Sequence, residues 1–99
     1  MVIKSILEQL EGSSHPVAKA LHRGDHFKVL VMGFKKGMSL KDHAAHQPTK
    51  LAVLTGNVMY KEAERELKLE QYDEIDIPVN VIHSVEALDD SLCLLTQGI

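Results

Sequence analysis

Beyond Pro16 the chain is interrupted every few residues by turn-forming residues, and the stretches between them are too short to be ordinary helices. Gly24-Asp25, Lys35-Lys36-Gly37, Gln47-Pro48, Gly56-Asn57, Pro78 to Asn80 and Asp89-Asp90-Ser91 mark the reversals. Runs of β character lie between them at 17–23, 27–34, 40–43, 51–55, 58–61, 83–88 and 92–96. Leu67 and Leu69, then Ile75 and Ile77, alternate with charges in two further runs. Short strands at this spacing, without an interleaved helical rhythm, predict an all-β barrel or sandwich. Gly56-Asn57 and Asp89-Asp90-Ser91 are expected to close hairpins between the runs that flank them.

The clearest strand is Phe27 to Phe34. Phe27, Val29 and Val31 lie on one face and Leu30, Met32 and Phe34 on the other, so both faces need cover. A partner subunit or the N-terminal segment can supply it. That segment holds one short helical signal at residues 5–10: Ser5 and Glu8 have capping-box spacing, Ile6, Leu7 and Leu10 share a stripe, and Gly12 can end it. Residues 1–99 are thus expected to form one domain, a barrel over about 17–97 preceded by an N-terminal segment at 1–16.

Composition removes several classes of function. The net charge is −3, no basic stripe is present, and the aromatic residues are only two Phe and two Tyr, so a nucleic-acid surface is not expected. No stretch approaches the roughly 20 apolar residues of a membrane span, and Lys4 and Glu8 come too early for a secretory leader. The expected location is the cytoplasm, which suits the single cysteine, Cys93, read as a buried structural thiol among leucines. There is no nucleophile elbow, phosphate loop, Cys-x-x-Cys or His-Glu-x-x-His. Glu62, Glu64, Arg65 and Glu66 read as a solvated hairpin end.

Two segments carry a more specific pattern. Gly37-Met-Ser-Leu-Lys-Asp-His43 precedes a strand that ends at Gly56, and Tyr72-Asp-Glu-Ile-Asp-Ile-Pro78-Val-Asn80-Val-Ile-His83 follows. Together they resemble the two motifs of the cupin family, specifically a small single-domain cupin of the cupin-2 type. Gly37, His43, Gly56, Pro78 and His83 fall at the family positions, and the resemblance covers roughly Phe27 to Thr96. It implies a jelly-roll β-barrel with its pocket inside, His43 and His83 close together there, and a homodimer. Edge strands and the doubly apolar 27–34 run also favour a dimer.

The metal-binding half of the pattern is incomplete. Ala45 stands where the family has its second histidine and Thr49 where it has its glutamate; Tyr72 and Asn80 replace glycines, and Ala87 replaces an asparagine. Of the four ligands the resemblance implies, His43 and His83 remain. His46 is a candidate third, although alternation points it away from the face of His43 unless the strand bulges. A catalytic metal site typically takes at least three protein ligands.

The leading expectation is therefore a barrel that binds an unidentified small molecule, with His43, His83 and Tyr60 at the pocket. Its wall is drawn from Phe27, Val29, Val31, Leu40, Val53 and Tyr60. The alternative is a metal-dependent enzyme of dioxygenase or isomerase type, in which His43, His46 and His83 hold zinc, iron, manganese or nickel. A third is a dimerisation or sensor domain with no chemistry of its own. His15, His22 and His26 are expected at the surface.

Overall fold

In a computed structural model, which describes residues 1–98, one helix precedes nine strands. The helix is α1 (Val2–Leu10); the strands are β1 (Val17–Arg23), β2 (Phe27–Phe34), β3 (Ser39–Ala44), β4 (Thr49–Thr55), β5 (Val58–Glu62), β6 (Glu66–Leu69), β7 (Glu74–Ile77), β8 (Ile82–Ala87) and β9 (Ser91–Gly98). They form two antiparallel sheets, a five-stranded one in the order β1-β2-β9-β4-β7 and a four-stranded one in the order β3-β8-β5-β6. The core between them includes Met32, Phe34, Leu51, Val53, Val58, Tyr60, Ile77, Val85, Cys93 and Leu95. Cys93 is fully buried, and that burial pushes its thiol up to about 12, as befits an inert structural side chain.

Strand order corrects two of the expected hairpins. β1–β2 and β5–β6 are true hairpins. Strands β4 and β5 flank Gly56-Asn57 yet lie in different sheets, and so do β8 and β9 on either side of Asp89-Asp90-Ser91. A tight reversal reads the same in sequence whether the strands it joins pair or cross between sheets. Here the two crossings pack on each other. The amides of Asn57 and Leu88 donate to Ser91 Oγ and the Asn57 carbonyl, and the Ser91 hydroxyl donates to the Asp89 carbonyl at 2.8 Å. Gly56 has φ +81°, and a β-carbon there would collide with the Asp90 carbonyl oxygen and with Ser91. Gly56→Ala should therefore cost about 2–4 kcal/mol, from left-handed strain plus the steric clash. A urea melt showing less than about 0.5 kcal/mol would contradict this packing.

The doubly apolar β2 is covered as its pattern required. Leu30, Met32 and Phe34 face the barrel interior, while Val31 packs outward against Ile6 and Leu10 of α1. Gly33 makes the notch for this helix: a β-carbon there would sit 2.6 Å from Ile6 Cγ2 and from Leu10 Cδ1. The helix begins at Val2, earlier than the capping-box reading placed it, and has no side-chain cap. Ser5 is inside it and accepts a hydrogen bond from Lys19 Nζ at 2.9 Å. Burial of Ile6 and Leu10, worth roughly 1.5–3 kcal/mol each, outweighs the missing cap, worth about 1 kcal/mol.

Candidate functional site

Strands β3 and β8 bring the two motif histidines together. They pair antiparallel, with His43 directly opposite His83. A bulge between Leu40 and His43, with Asp42 at φ 45°, turns the last residues of β3 relative to its start. The β3 end and the turn before β8 are tied by the Asn80 amide, which donates to the Ala45 carbonyl at 2.7 Å.

Beside these histidines, between the sheets, lies a cavity of about 200 Å³. Its floor and walls are Leu30 and Met32 of β2, Leu40 of β3 and Leu95 of β9, and His43, Ala44, Ala45, Thr49, His83 and Gln97 complete it. His83, Ala45 and Thr49 are buried, and His43 is exposed at the mouth. Positions 43, 45, 49 and 83, where the sequence pattern implies four metal ligands, all line this one cavity. Two of them carry imidazoles; the other two carry a methyl group and a hydroxyl that stays protonated at neutral pH. A surface hollow by Arg23, Asp25, His26 and Lys28 is walled by exposed polar side chains and lacks this convergence.

The structure does not bring His46 to the pair. Its Nδ1 bonds to Asn80 Oδ1 at 3.0 Å in an exposed position, on the outside of the turn. Among the described residues no three His, Cys, Asp or Glu side chains are grouped so as to hold a metal ion. The donor set therefore does not fit the metal that the sequence pattern implies, and no reaction step is built on one.

Tyr60 is also placed differently from the sequence reading. It is fully buried and does not line the cavity; it stands behind His83, with ring centroids 5.7 Å apart and planes 27° from parallel. Its hydroxyl donates to Glu62, whose side chain is only 8% exposed. Arg65 completes the set: one guanidinium nitrogen donates to Glu62 Oε2 at 2.9 Å and to the Asp76 carbonyl at 3.1 Å, and the group lies 5.5 Å from the Tyr60 ring. The bond from Arg65 is the main reason the Glu62 carboxyl is held below its ordinary range, with the Tyr60 hydroxyl adding to it. Burial, and then the adjoining carboxylate, push the Tyr60 phenol well above its ordinary value. Glu62 and Arg65 are thus an organised pair at the back of the site and not simply a solvated hairpin end. The signal available in the sequence was the even spacing of Tyr60 and Glu62, which puts both on one face of β5.

Of the remaining wall candidates, Leu40 lines the cavity; the half-buried Val29 does not, Val31 faces α1, Val53 is in the core, and Phe27 is exposed, touching the His22 ring at 5.5 Å between centroids. His15, His22 and His26 are exposed, as expected.

The architecture is shared with known structures. A cupin superfamily protein from Desulfitobacterium hafniense superposes with a TM-score of 0.81 at 18% identity, covering 88% of this chain and 80% of its own. The fold is that of a cupin. KdgF from a Halomonas species matches with a TM-score of 0.77 at 18% identity, over 88% of this chain and 82% of its own. A cupin 2 conserved barrel domain protein from Leptotrichia buccalis matches with a TM-score of 0.79 at 25% identity, over 88% of this chain and 42% of its own. No protein-family model and no curated protein matches the sequence. The motif histidines lie on β3 and β8, within the stretch from Phe27 to Thr96 that the sequence resemblance covers. The left-handed residues include Gly37, Gly56, Tyr72 and Asn80, with φ of 88°, 81°, 71° and 62°. These are the four positions at which the cupin motifs place glycine, so Tyr72 and Asn80 keep the backbone shape without the residue.

Proposed function

We propose that this cupin barrel binds a small, mostly apolar molecule in the cavity between its sheets and does so without a resident metal. The observation that carries the reading is the shared cavity of positions 43, 45, 49 and 83, in which two imidazoles face a methyl group and a hydroxyl. The scale is set by comparison: a cavity of about 150 Å³ accommodates benzene. A volume of about 200 Å³ therefore suits a single ring or a short branched chain. The apolar walls supply affinity, and His43 and His83 orient the polar end of the ligand.

A metal-dependent dioxygenase or isomerase would need a third strong ligand, and His46, bonded to Asn80, is the only histidine near enough in sequence to be recruited. Elemental analysis of the purified chain and thermal melts with and without chelator test the choice. The expected result is substoichiometric metal and a Tm that moves by less than about 1 °C on chelation, since two neutral ligands leave little binding free energy to couple to folding. Stoichiometric metal, with a chelator-induced drop in Tm that His46→Ala abolishes, would establish the enzyme reading instead. The proposal includes a cytoplasmic homodimer. Its structural support is the edge strands β1, β7, β3 and β6 and no longer β2, whose outer face α1 covers.

A further inference from the structure

We infer that Arg65, on the outside of the barrel, is a positioning residue for the binding cavity, acting through Glu62 and Tyr60 to hold the His83 imidazole in the cavity wall. The inference rests on the proposed binding role and deepens it. The β5–β6 turn seats the cation: the Glu62 amide donates to the Arg65 carbonyl at 2.8 Å, which sets the two side chains beside each other. Glu62 is also the register partner of His83 across β5 and β8. From the surface inward the contacts are continuous. The exposed Arg65 donates to Glu62 Oε2 and to the Asp76 carbonyl of β7, in the opposite sheet. The same Glu62 oxygen accepts from the Tyr60 hydroxyl, and the buried Tyr60 ring stacks on His83. His83 lines the cavity, which Tyr60, Glu62 and Arg65 do not reach.

Charge makes Arg65 the controlling link. The Glu62 side chain is only 8% exposed, and a carboxylate buried that far stays in place when a cation is paired with it. Without Arg65 the carboxylate gains by swinging outward to water. The Tyr60 hydroxyl then loses its acceptor, and a buried hydroxyl without a partner pulls its ring toward another one. The surface that backs His83 shifts with it. The other contact of the imidazole is Nδ1, 3.2 Å from the Val81 carbonyl oxygen. A single contact of this kind leaves the ring free to turn, because the χ2 torsion of histidine is broad, so the Tyr60 face sets the plane. None of this depends on which imidazole nitrogen carries the proton. The polar end of a ligand meets His83 where the stack leaves it.

The test is side-chain NMR of the full chain, reading the nuclear Overhauser contacts between the Tyr60 and His83 rings and the relaxation of the His83 ring, followed by titration with phenol and toluene. Arg65→Leu should weaken those contacts and loosen the His83 ring, with the exposed His15 unchanged as a control. Adding Glu62→Gln should restore both, because the amide has no charge to strand and its carbonyl oxygen still accepts from Tyr60. Arg65→Lys keeps a cation without the planar fork, so it should fall between. Phenol, which can donate or accept, should bind Arg65→Leu about three- to tenfold more weakly, the effect of one misplaced hydrogen bond. Toluene, which reads only the shape of the cavity, should bind as before. A His83 ring as rigid in Arg65→Leu as in the natural chain overturns the inference, and so does a double variant as loose as the single one. Phenol affinity that is unchanged, or that falls together with that of toluene, overturns the positioning role in binding. If Arg65→Leu fails to fold, a His83 ring looser in the double variant than in Arg65→Lys overturns the inference instead. A natural chain that binds neither probe overturns the binding reading, while the ring measurements still decide whether Arg65 positions His83.

Discussion

A chain carrying both Ala45→His and Thr49→Glu is expected to bind nickel, manganese or zinc at least ~100-fold more tightly than the natural chain. Loss of a group that merely orients a metal ligand already costs 10–100-fold, and here two ligands themselves are supplied. The physical basis is placement. His43 and His83 are cross-strand partners on β3 and β8, and positions 45 and 49 line the same cavity of about 200 Å³, so new side chains there project toward the imidazoles. In the absence of metal the double variant should be less stable than the natural chain, because Thr49 is buried and a carboxylate in its place lacks a partner. Metal should restore that stability, so chelator should lower the Tm of the variant sharply and that of the natural chain hardly at all. Competition against a chelating dye, with circular dichroism to verify folding, gives both numbers. A folded double variant with natural metal affinity would show that the four positions do not converge as described.

The sequence carried the strands well because each is short and bounded by turn residues, and most are amphipathic. The limits of β1 and β2 agree with the runs read from sequence, and most others lengthen by one or two residues. It did not carry strand partnership. Gly56-Asn57 has the chemistry of a reversal, but whether β5 then pairs with β4 or passes to the other sheet depends on β8 and β9, more than twenty residues away. Inward parity of β2 was equally hidden, since both faces are apolar and only the docking of α1 assigns Val31 outward. At the site, motif spacing placed His43 opposite His83 because the two strands pair in that register. It misjudged Tyr60 and Glu62 for different reasons. Tyr60 shares an inward face with the cavity residues but lies one layer behind His83. Glu62 looked solvated within a charged run, yet an inward hydroxyl two residues earlier and Arg65 three residues later satisfy its carboxylate as it turns in.

That buried carboxylate and phenol make Tyr60 the position where substitution should be most costly. Tyr60→Ala should destabilise the fold by about 3–5 kcal/mol, as for other large aromatic side chains cut back to a methyl group in a core. The ring is fully buried, it packs on His83, and its removal leaves the Glu62 carboxylate with one partner fewer. Tyr60→Phe keeps the ring and loses only the hydroxyl, so about 1 kcal/mol is expected. The two variants also differ from wild type in acid. The folded Glu62 carboxyl is held below its ordinary value, chiefly by Arg65 and then by Tyr60. Its contribution to stability is therefore present above the ordinary carboxylate range and is lost as pH falls through the lower, folded value. Arg65→Leu removes the larger cause and should raise the pH at which stability declines; Tyr60→Phe should raise it less. Urea melts of the four proteins between pH 7 and pH 3 separate these contributions. If Tyr60→Phe were as costly as Tyr60→Ala, the hydroxyl and its carboxylate would outweigh the packing of the ring. If Arg65→Leu left the acid limb in place, the Glu62 bond to Arg65 would not be the dominant one.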